Sequence, residues 1–122
     1  MDRSETVSEW SIYFNPKCAS CRKALEILKE KKIKPRVIEY LRNPPSVKEL
    51  NLLLRKLRLS PAEIVRSKEP IYEQLNLETN AKSRADWLRA ISEHPVLLQR
   101  PIVVCDYNAV IARPPEKVLD LF

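Results

Sequence analysis

The fold is decided by a stretch near the start of the chain, which reads Trp10-Ser-Ile-Tyr-Phe14, then Asn15-Pro-Lys17, then Cys18-Ala-Ser-Cys21. Its first part alternates and is rich in aromatic and β-branched side chains, which predicts a β-strand. The Asn-Pro pair is a turn signal. From Cys18 to about Lys31 apolar side chains recur at helical spacing. A strand therefore leads through a turn into a helix that begins at Cys18.

The next segments predict a parallel pair of strands and a helical insert. Residues 36–41 are typical of a second strand, and a strand, a helix and a strand in this order imply a right-handed parallel crossover. Residues 46–93 are interpreted as an all-helical insert. Its first helix begins with a capping box, in which Ser46 is followed three residues later by Glu49.

The last part of the chain predicts a β-hairpin and a closing helix. Strands at 102–105 and 109–112 are joined by a tight turn, in which we expect Asn108 to be the left-handed residue because the chain has no glycine. A short helix at 116–122 follows. The fold class is therefore α/β, with a four-stranded mixed sheet (βαβ, then ββα) and the helical insert between its halves.

The composition is that of one soluble domain and excludes several classes of protein. With 122 residues and 44% apolar side chains, we expect a single domain over 10–122 after a flexible tail over 1–9. The absence of glycine excludes a glycine-rich phosphate loop and a dinucleotide-binding fingerprint. We expect no membrane span and no signal peptide. The net charge is +6, but the basic residues are dispersed, so solvated helix faces are favoured over nucleic-acid or membrane binding.

Two of the three cysteines lie three residues apart, which indicates thiol redox chemistry in a reducing, cytoplasmic compartment. A helix N-terminus carries partial positive charge and free amide donors, and both stabilise a thiolate at Cys18. We expect Lys17, Arg22 and Lys23 to add positive charge. Such settings lower a cysteine pKa from about 8.5 to roughly 3.5–7.5. Cys21, one helical turn later, is then a second thiol beside the first.

Two alternatives compete with the redox interpretation. A zinc site needs four ligands, and only Cys105 and His94 remain to complete one. The cysteine pair could instead be purely structural. We expect Cys105 to be a buried apolar residue of its strand and His94 to cap a helix end, so the redox interpretation is favoured.

Three arginines each lie at the end of a predicted element: Arg66, Arg100 and Arg113. Binding sites are often built at element ends, and the guanidinium fork suits tetrahedral oxyanions. From position alone, arginines that cap carbonyls and face water are the more common case. The residue pattern by itself therefore leaves their role open.

Five separated motifs, in order along the chain from Ser11 to the C-terminus, carry a family resemblance. They are Tyr13-Phe-Asn-Pro-Lys-Cys18 with Arg22, Glu39-Tyr-Leu-Arg-Asn-Pro-Pro-Ser46, Arg66 with Glu69-Pro-Ile-Tyr-Glu-Gln-Leu75, His94-Pro-Val-Leu-Leu-Gln-Arg-Pro-Ile-Val-Val104, and Arg113-Pro-Pro-Glu-Lys-Val-Leu-Asp-Leu121. Together they resemble the thioredoxin-like arsenate reductases of the glutaredoxin-coupled type, within the wider superfamily that includes the Spx-like proteins.

The resemblance implies a thioredoxin-like fold and reduction of arsenate to arsenite through an adduct on Cys18. It implies no bound cofactor and no metal, with glutathione as co-substrate. Glutaredoxin or thioredoxin restores the enzyme, which is expected to be a cytoplasmic, bacterial monomer without nucleic-acid or membrane partners. The resemblance assigns binding of the oxyanion and stabilisation of the thiolate to the three arginines at 66, 100 and 113.

The resemblance also implies a supporting role for Asn15, Arg22 and Pro101. Pro101 corresponds to the cis-proline of the thioredoxin fold, and a cis bond there is expected to point backbone polar groups at the substrate.

The chain departs from the family at two positions. The best-known members carry a serine-like residue where this chain has Cys21, and a histidine where it has Phe14. A Cys-x-x-Cys pair here is shared with the Spx-type transcription regulators, which use it as a redox switch and bind the RNA polymerase alpha subunit. An Spx-like regulator with a Cys18–Cys21 switch and a general thiol–disulfide oxidoreductase are therefore the alternatives. The three arginines favour the reductase, and either Cys21 or glutathione could resolve the adduct.

Overall fold

The computed structural model describes residues 8–122. The chain divides into two compact units, of which the first combines the residues up to Ile38 with 100–122 and the second comprises 39–99. The second unit contains the predicted helical insert of 46–93 and extends beyond it at both ends. Most of the predicted tail, residues 1–7, lies outside the described residues.

The first unit is built on a mixed sheet of four strands: β1 Trp10–Tyr13, β2 Arg36–Ile38, β3 Ile102–Cys105 and β4 Asn108–Ile111. Their order in the sheet is β2-β1-β3-β4, which confirms the predicted sheet. β1 is parallel to β2 and antiparallel to β3, and β3 is antiparallel to β4.

Two details of the predicted strands are wrong. The second strand ends at Ile38 rather than at 41, because the chain turns at Glu39, whose carbonyl accepts hydrogen bonds from the Arg42 and Asn43 N–H groups. The left-handed residue of the hairpin is Asp106, at φ 53°, whereas Asn108 already belongs to β4.

A pair of hydrogen bonds explains why Asp106 occupies the turn. Its carboxylate accepts a hydrogen bond of 2.8 Å from the Glu9 N–H, and its own N–H donates one of 3.0 Å to the Glu9 carbonyl. Glu9, which was grouped with the tail, is therefore held against the hairpin.

One amphipathic helix, α1 (Ala19–Glu30), packs into the core of the first unit. The side chains that it buries recur three or four residues apart and share one face, as the sequence predicted. They are Cys21, Ala24, Ile27 and Leu28. This core also takes in Ile12 and Val103 of the sheet and Val118, which lies in the closing 3₁₀ helix at Pro115–Leu121, so the site cysteines sit in a packed setting.

The second unit is helical, as predicted for the insert. The helices are α2 Val47–Leu57, α3 Pro70–Gln74, α4 Leu77–Asn80 and α5 Arg84–Glu93, with 3₁₀ turns at Pro61–Ile64 and Pro95–Leu97. Ser46 caps α2 by accepting a hydrogen bond of 3.1 Å from the Glu49 N–H, and Ser83 caps α5 by accepting one of 3.2 Å from the Asp86 N–H. α2 packs against α5 through buried leucine and isoleucine side chains. Over residues 8–122, none of the helices is long and apolar enough to cross a membrane.

Candidate active site

Cys18 lies at the predicted place, where the turn after β1 enters α1. It is the N-cap residue of α1, with extended backbone angles of φ −95° and ψ 120°. Its Sγ accepts a hydrogen bond from the Cys21 backbone N–H at 3.4 Å, and the residue is only 8% exposed. A backbone donor that would be unsatisfied at this end of the helix therefore points at the sulfur.

The surroundings of Cys18 favour the thiolate. Burial by itself raises the pKa of Cys18, but hydrogen bonds from the Cys21 backbone and thiol, together with a hydrogen bond and the positive charge of Arg100, bring the pKa below its ordinary value. The thiolate is the nucleophilic form of cysteine. One of the three predicted arginines thus acts on the predicted nucleophile.

The surroundings of Cys21 disfavour its thiolate. Cys21 is fully buried, and that burial is the main reason why its pKa is raised from 9.0 to about 12. The hydrogen bond and the negative charge of Cys18 raise it further, while a hydrogen bond from the Asn15 backbone and the charge of Arg100 act in the other direction. The pair therefore favours a thiolate on Cys18 beside a protonated thiol on Cys21.

The turn before α1 is held by hydrogen bonds from side chains and from the backbone. The Asn15 carboxamide oxygen accepts a hydrogen bond of 3.0 Å from the Lys17 N–H, and the Asn15 carbonyl accepts one of 2.9 Å from the Cys18 N–H. Arg22 Nη1 donates a hydrogen bond of 2.7 Å to the Pro16 carbonyl. Asn15 and Arg22 therefore shape the turn that presents the two cysteines.

The positive charge that acts on Cys18 comes from a different residue than the sequence predicted. Arg22 is engaged with the turn, and Lys23 forms an exposed ion pair with Glu26 at 3.5 Å. The cation that lowers the pKa of Cys18 is Arg100, from the segment that enters β3.

The Arg100–Pro101 peptide bond is cis, which confirms the predicted cis-proline. The neighbouring carbonyls are used within the first unit: Arg113 Nη1 donates to the Arg100 carbonyl at 3.2 Å, and the Ala112 N–H donates to the Pro101 carbonyl at 2.9 Å. These carbonyls thus accept hydrogen bonds within the first unit. That backbone groups beside Pro101 are directed at the substrate stays a prediction. A second cis bond, Arg113–Pro114, was not predicted.

Arg66 belongs to the second unit, where its surroundings are well defined. Its Nε donates to the Glu69 carboxylate at 3.2 Å, and its backbone N–H donates to the Leu97 carbonyl at 2.7 Å. The Glu69 partner was missed from the sequence, although a carboxylate three residues after an arginine is a recognisable pairing signal. Binding of an oxyanion by Arg66 stays a prediction.

The family is identified once this geometry is compared with known proteins. The model of the ArsC family matches residues 13–121. The chain belongs to the ArsC family.

Two curated relatives and one solved structure illustrate the closeness of the match. Protein YfgD of Escherichia coli K12 is 40% identical over 111 residues, which are 90% of this chain and 93% of that protein. An arsenate reductase of Haemophilus influenzae is 40% identical, over 90% of this chain and 96% of that protein. The structure of an arsenate reductase from Vibrio cholerae is 42% identical with a TM-score of 0.91 and covers 95% of this chain and 99% of that one. The expected thioredoxin-like fold is confirmed.

Cys105, the third cysteine of this ArsC-family chain, is not among the residues that act on Cys18 and Cys21. Cys105 was expected to be buried, but at the end of β3 it is only partly buried. That partial burial raises the pKa of Cys105 above its ordinary value, although a hydrogen bond from Ser8 acts in the other direction.

All three cysteines are free thiols. Within residues 8–122, no group of three or more metal-ligating side chains is gathered. His94 caps α5, with its N–H bound to the Ala90 carbonyl at 2.8 Å.

Proposed function

We propose that this ArsC-family protein reduces arsenate to arsenite, with Cys18 as the nucleophile. The observation that carries the proposal is the sulfur of Cys18, whose thiolate is favoured by the Cys21 N–H and by Arg100. The similarity to arsenate reductases of Haemophilus influenzae and Vibrio cholerae supports the choice of arsenate as the substrate.

The first chemical step forms a bond between sulfur and arsenic. The Cys18 thiolate attacks arsenic, and one arsenate oxygen takes up protons and leaves as water. Arg100 stabilises the negative charge at the reacting centre, because a fixed cation is more effective in a partly buried site than in water. We assign Arg113 and Arg66 to the oxyanion as well, as the family resemblance implies.

The second step reduces the arsenic. Cys21, as a thiolate, attacks the Cys18 sulfur; the sulfur–sulfur bond forms, the sulfur–arsenic bond breaks, and its electron pair leaves with arsenic, which falls from As(V) to As(III). The Cys21 proton passes to solvent or to the departing arsenite. Once the charge has left the Cys18 sulfur, a cause of the raised pKa of Cys21 is removed, while the Asn15 hydrogen bond and the charge of Arg100 remain to stabilise its thiolate.

A thiol reductant must then return the Cys18–Cys21 disulfide to the dithiol, and glutaredoxin or thioredoxin has the required chemistry. Glutathione offers a second route, in which its thiol takes the place of Cys21 and leaves a mixed disulfide on Cys18 for glutaredoxin to reduce. We favour Cys21, because it is already in hydrogen-bonding contact with Cys18. The reaction needs no bound cofactor, and three free thiols fit a protein that works in the reducing cytoplasm.

The test is arsenate-dependent consumption of reductant by the wild-type protein and by Cys18→Ser, Cys21→Ser and Cys105→Ser. Each protein is assayed with thioredoxin alone and with glutathione plus glutaredoxin. We expect turnover by wild type and by the Cys105→Ser control, no turnover by Cys18→Ser, and turnover by Cys21→Ser only when glutathione is present. Absence of arsenate-dependent turnover by wild type under both conditions would overturn the proposal.

The cysteine pair also favours a second candidate, an Spx-like regulator that is switched by a Cys18–Cys21 disulfide. This function needs the pair but no oxyanion. Binding of the RNA polymerase alpha subunit that changes on oxidation, in a protein without arsenate turnover, would establish it instead. Reduction of small disulfides without arsenate turnover would identify a general thiol–disulfide oxidoreductase.

A further inference from the structure

The Arg66–Glu69 ion pair differs from the other ion pairs of the described chain in being shielded from solvent. Both of its side chains are 21% exposed, whereas in each of the other three pairs at the same sequence spacing at least one partner is more than half exposed. Exposed pairs of this kind contribute little to stability. A shielded pair at a predicted oxyanion ligand therefore calls for a separate explanation.

The backbone of Arg66 is held on both sides. Its N–H donates to the Leu97 carbonyl at 2.7 Å, its carbonyl accepts a hydrogen bond of 3.1 Å from the Glu69 N–H, and the preceding Val65 forms an antiparallel bridge with Leu98. Val65 and Leu98 are both buried. The starting point of the Arg66 side chain is thus fixed by main-chain bonds within the second unit.

Glu69 then fixes the other end of that side chain through one particular nitrogen. Its carboxylate accepts from Nε, at 3.2 Å. A guanidinium has five N–H donors in a planar fork, and four of them belong to the terminal Nη1 and Nη2 groups. Because Glu69 binds at Nε, it orients the plane of the guanidinium and leaves the Nη1–Nη2 edge for a ligand. That edge matches two oxygens of a tetrahedral oxyanion.

We propose that Glu69 is a positioning residue, which holds Arg66 by Nε so that its Nη1–Nη2 edge binds the substrate oxyanion. This inference rests on the proposed function, since it takes arsenate as the ligand of Arg66. A carboxylate beside an anion site by itself repels the anion, so the charge of Glu69 alone would lower the affinity for arsenate. Glu69 raises affinity by orientation in spite of its charge.

A binding experiment can distinguish a positioning role of Glu69 from a mere countercharge, because the two roles change the affinity for arsenate in opposite directions when the side chain is removed. The parent is the Cys18→Ser protein, in which no adduct forms, and arsenate binding is followed by titration of the Arg66 Nε–H signal in nitrogen-15 NMR spectra, assigned from its loss in Arg66→Lys. Glu69→Ala removes both the charge and the acceptor. Glu69→Gln removes the charge but keeps an oxygen that accepts from Nε. Glu39→Gln is the matched control, since Glu39 pairs with Arg42 at the same spacing, at 3.8 Å, on the surface of the same unit.

We expect Glu69→Ala to weaken arsenate binding about tenfold, the effect of losing a charge-assisted hydrogen bond. Glu69→Gln should bind at least as tightly as the parent, and Glu39→Gln should leave the dissociation constant unchanged. In the catalytically active background, Glu69→Ala should raise KM for arsenate with little change in kcat. The alkylation pH profile of Cys18 should not move.

Two outcomes overturn the inference, and they are distinguishable. If the parent binds arsenate and Glu69→Ala binds it as tightly or more tightly, Glu69 is only a countercharge and the proposed function stands. If the parent binds no arsenate at all, both the inference and the proposed function are wrong. Glu69→Met keeps about the size of the side chain but removes both the charge and the acceptor, so it should bind arsenate more weakly than Glu69→Gln does. Equal or tighter binding by Glu69→Met would overturn the inference even if Glu69→Ala does not fold.

Discussion

Replacing Cys18 with serine tests how the two thiols influence each other. The pKa of Cys21 is raised from 9.0 to about 12, first by burial and then by the hydrogen bond and the negative charge of Cys18. A rise of that size makes the thiolate fraction of Cys21 near neutral pH about a thousandfold smaller. Cys21 should therefore be almost inert toward alkylating reagents while Cys18 remains a thiolate.

Cys18→Ser removes the negative charge that lies beside Cys21, but it leaves the burial of Cys21, the Asn15 hydrogen bond and the charge of Arg100 in place. The pKa of Cys21 should consequently fall from about 12. Each pKa unit changes the thiolate fraction, and with it the alkylation rate, about tenfold. We expect alkylation of Cys21 by iodoacetamide at pH 8 to be about ten times faster, or more, in the variant.

The rates are measured by quenched labelling and peptide mass spectrometry, which resolves the cysteines from one another. Cys105→Ser is the control, because it leaves both site cysteines intact and should leave the labelling rate of Cys21 unchanged. In the wild-type protein Cys18 should react first by orders of magnitude. Equal rates for Cys21 in wild type and in Cys18→Ser, or wild-type Cys21 reacting as fast as Cys18, would refute the electrostatic coupling.

Three further predictions follow from single contacts. Arg100→Gln removes a hydrogen bond and a positive charge that lower the pKa of Cys18, so the pH at which Cys18 becomes reactive should move upward, as measured by the pH dependence of alkylation. Between pH 9.0 and about 12 the unfolded chain loses the Cys21 proton that the folded chain keeps, so the free energy of unfolding should fall with rising pH. Urea denaturation should show a shallower fall for Cys21→Ser, and an equal slope would contradict the raised pKa. Ser46→Ala removes the acceptor of the Glu49 N–H and should cost about 1 kcal/mol in urea denaturation, with kcat unchanged.

The elements that could be predicted from the sequence are those set by local patterns. Alternation predicted β1, a three-to-four spacing predicted the buried face of α1, and Ser46 predicted the start of α2; the structure confirms each. The placement of Cys18 at the N-cap follows from the same local signals. The cis bond before Pro101 was inferred only through the family resemblance, since about one X–Pro bond in twenty is cis and the residue itself does not indicate which.

The features that could not be predicted depend on contacts and burial that only the folded chain has. Asp106 takes the left-handed position because Glu9, 97 residues earlier, forms hydrogen bonds with its side chain and backbone. No residue near Asp106 in the sequence indicates these hydrogen bonds. The raised pKa of Cys21 likewise arises from burial and from its neighbour's charge. Spacing indicated Arg22 as a cation beside Cys18, whereas the fold directs Arg22 to the Pro16 carbonyl and the cation that lowers the pKa of Cys18 is Arg100.

The most direct test of the proposed chemistry is a single turnover without any added thiol. Fully reduced protein, freed of small thiols, is mixed with arsenate at pH 7, and arsenite is quantified by chromatography while the cysteines are mapped by mass spectrometry. We expect about one arsenite per chain together with a Cys18–Cys21 disulfide, and neither product from Cys18→Ser. Wild-type protein that yields no arsenite, or Cys18→Ser that yields as much as wild type, would contradict the proposed chemistry.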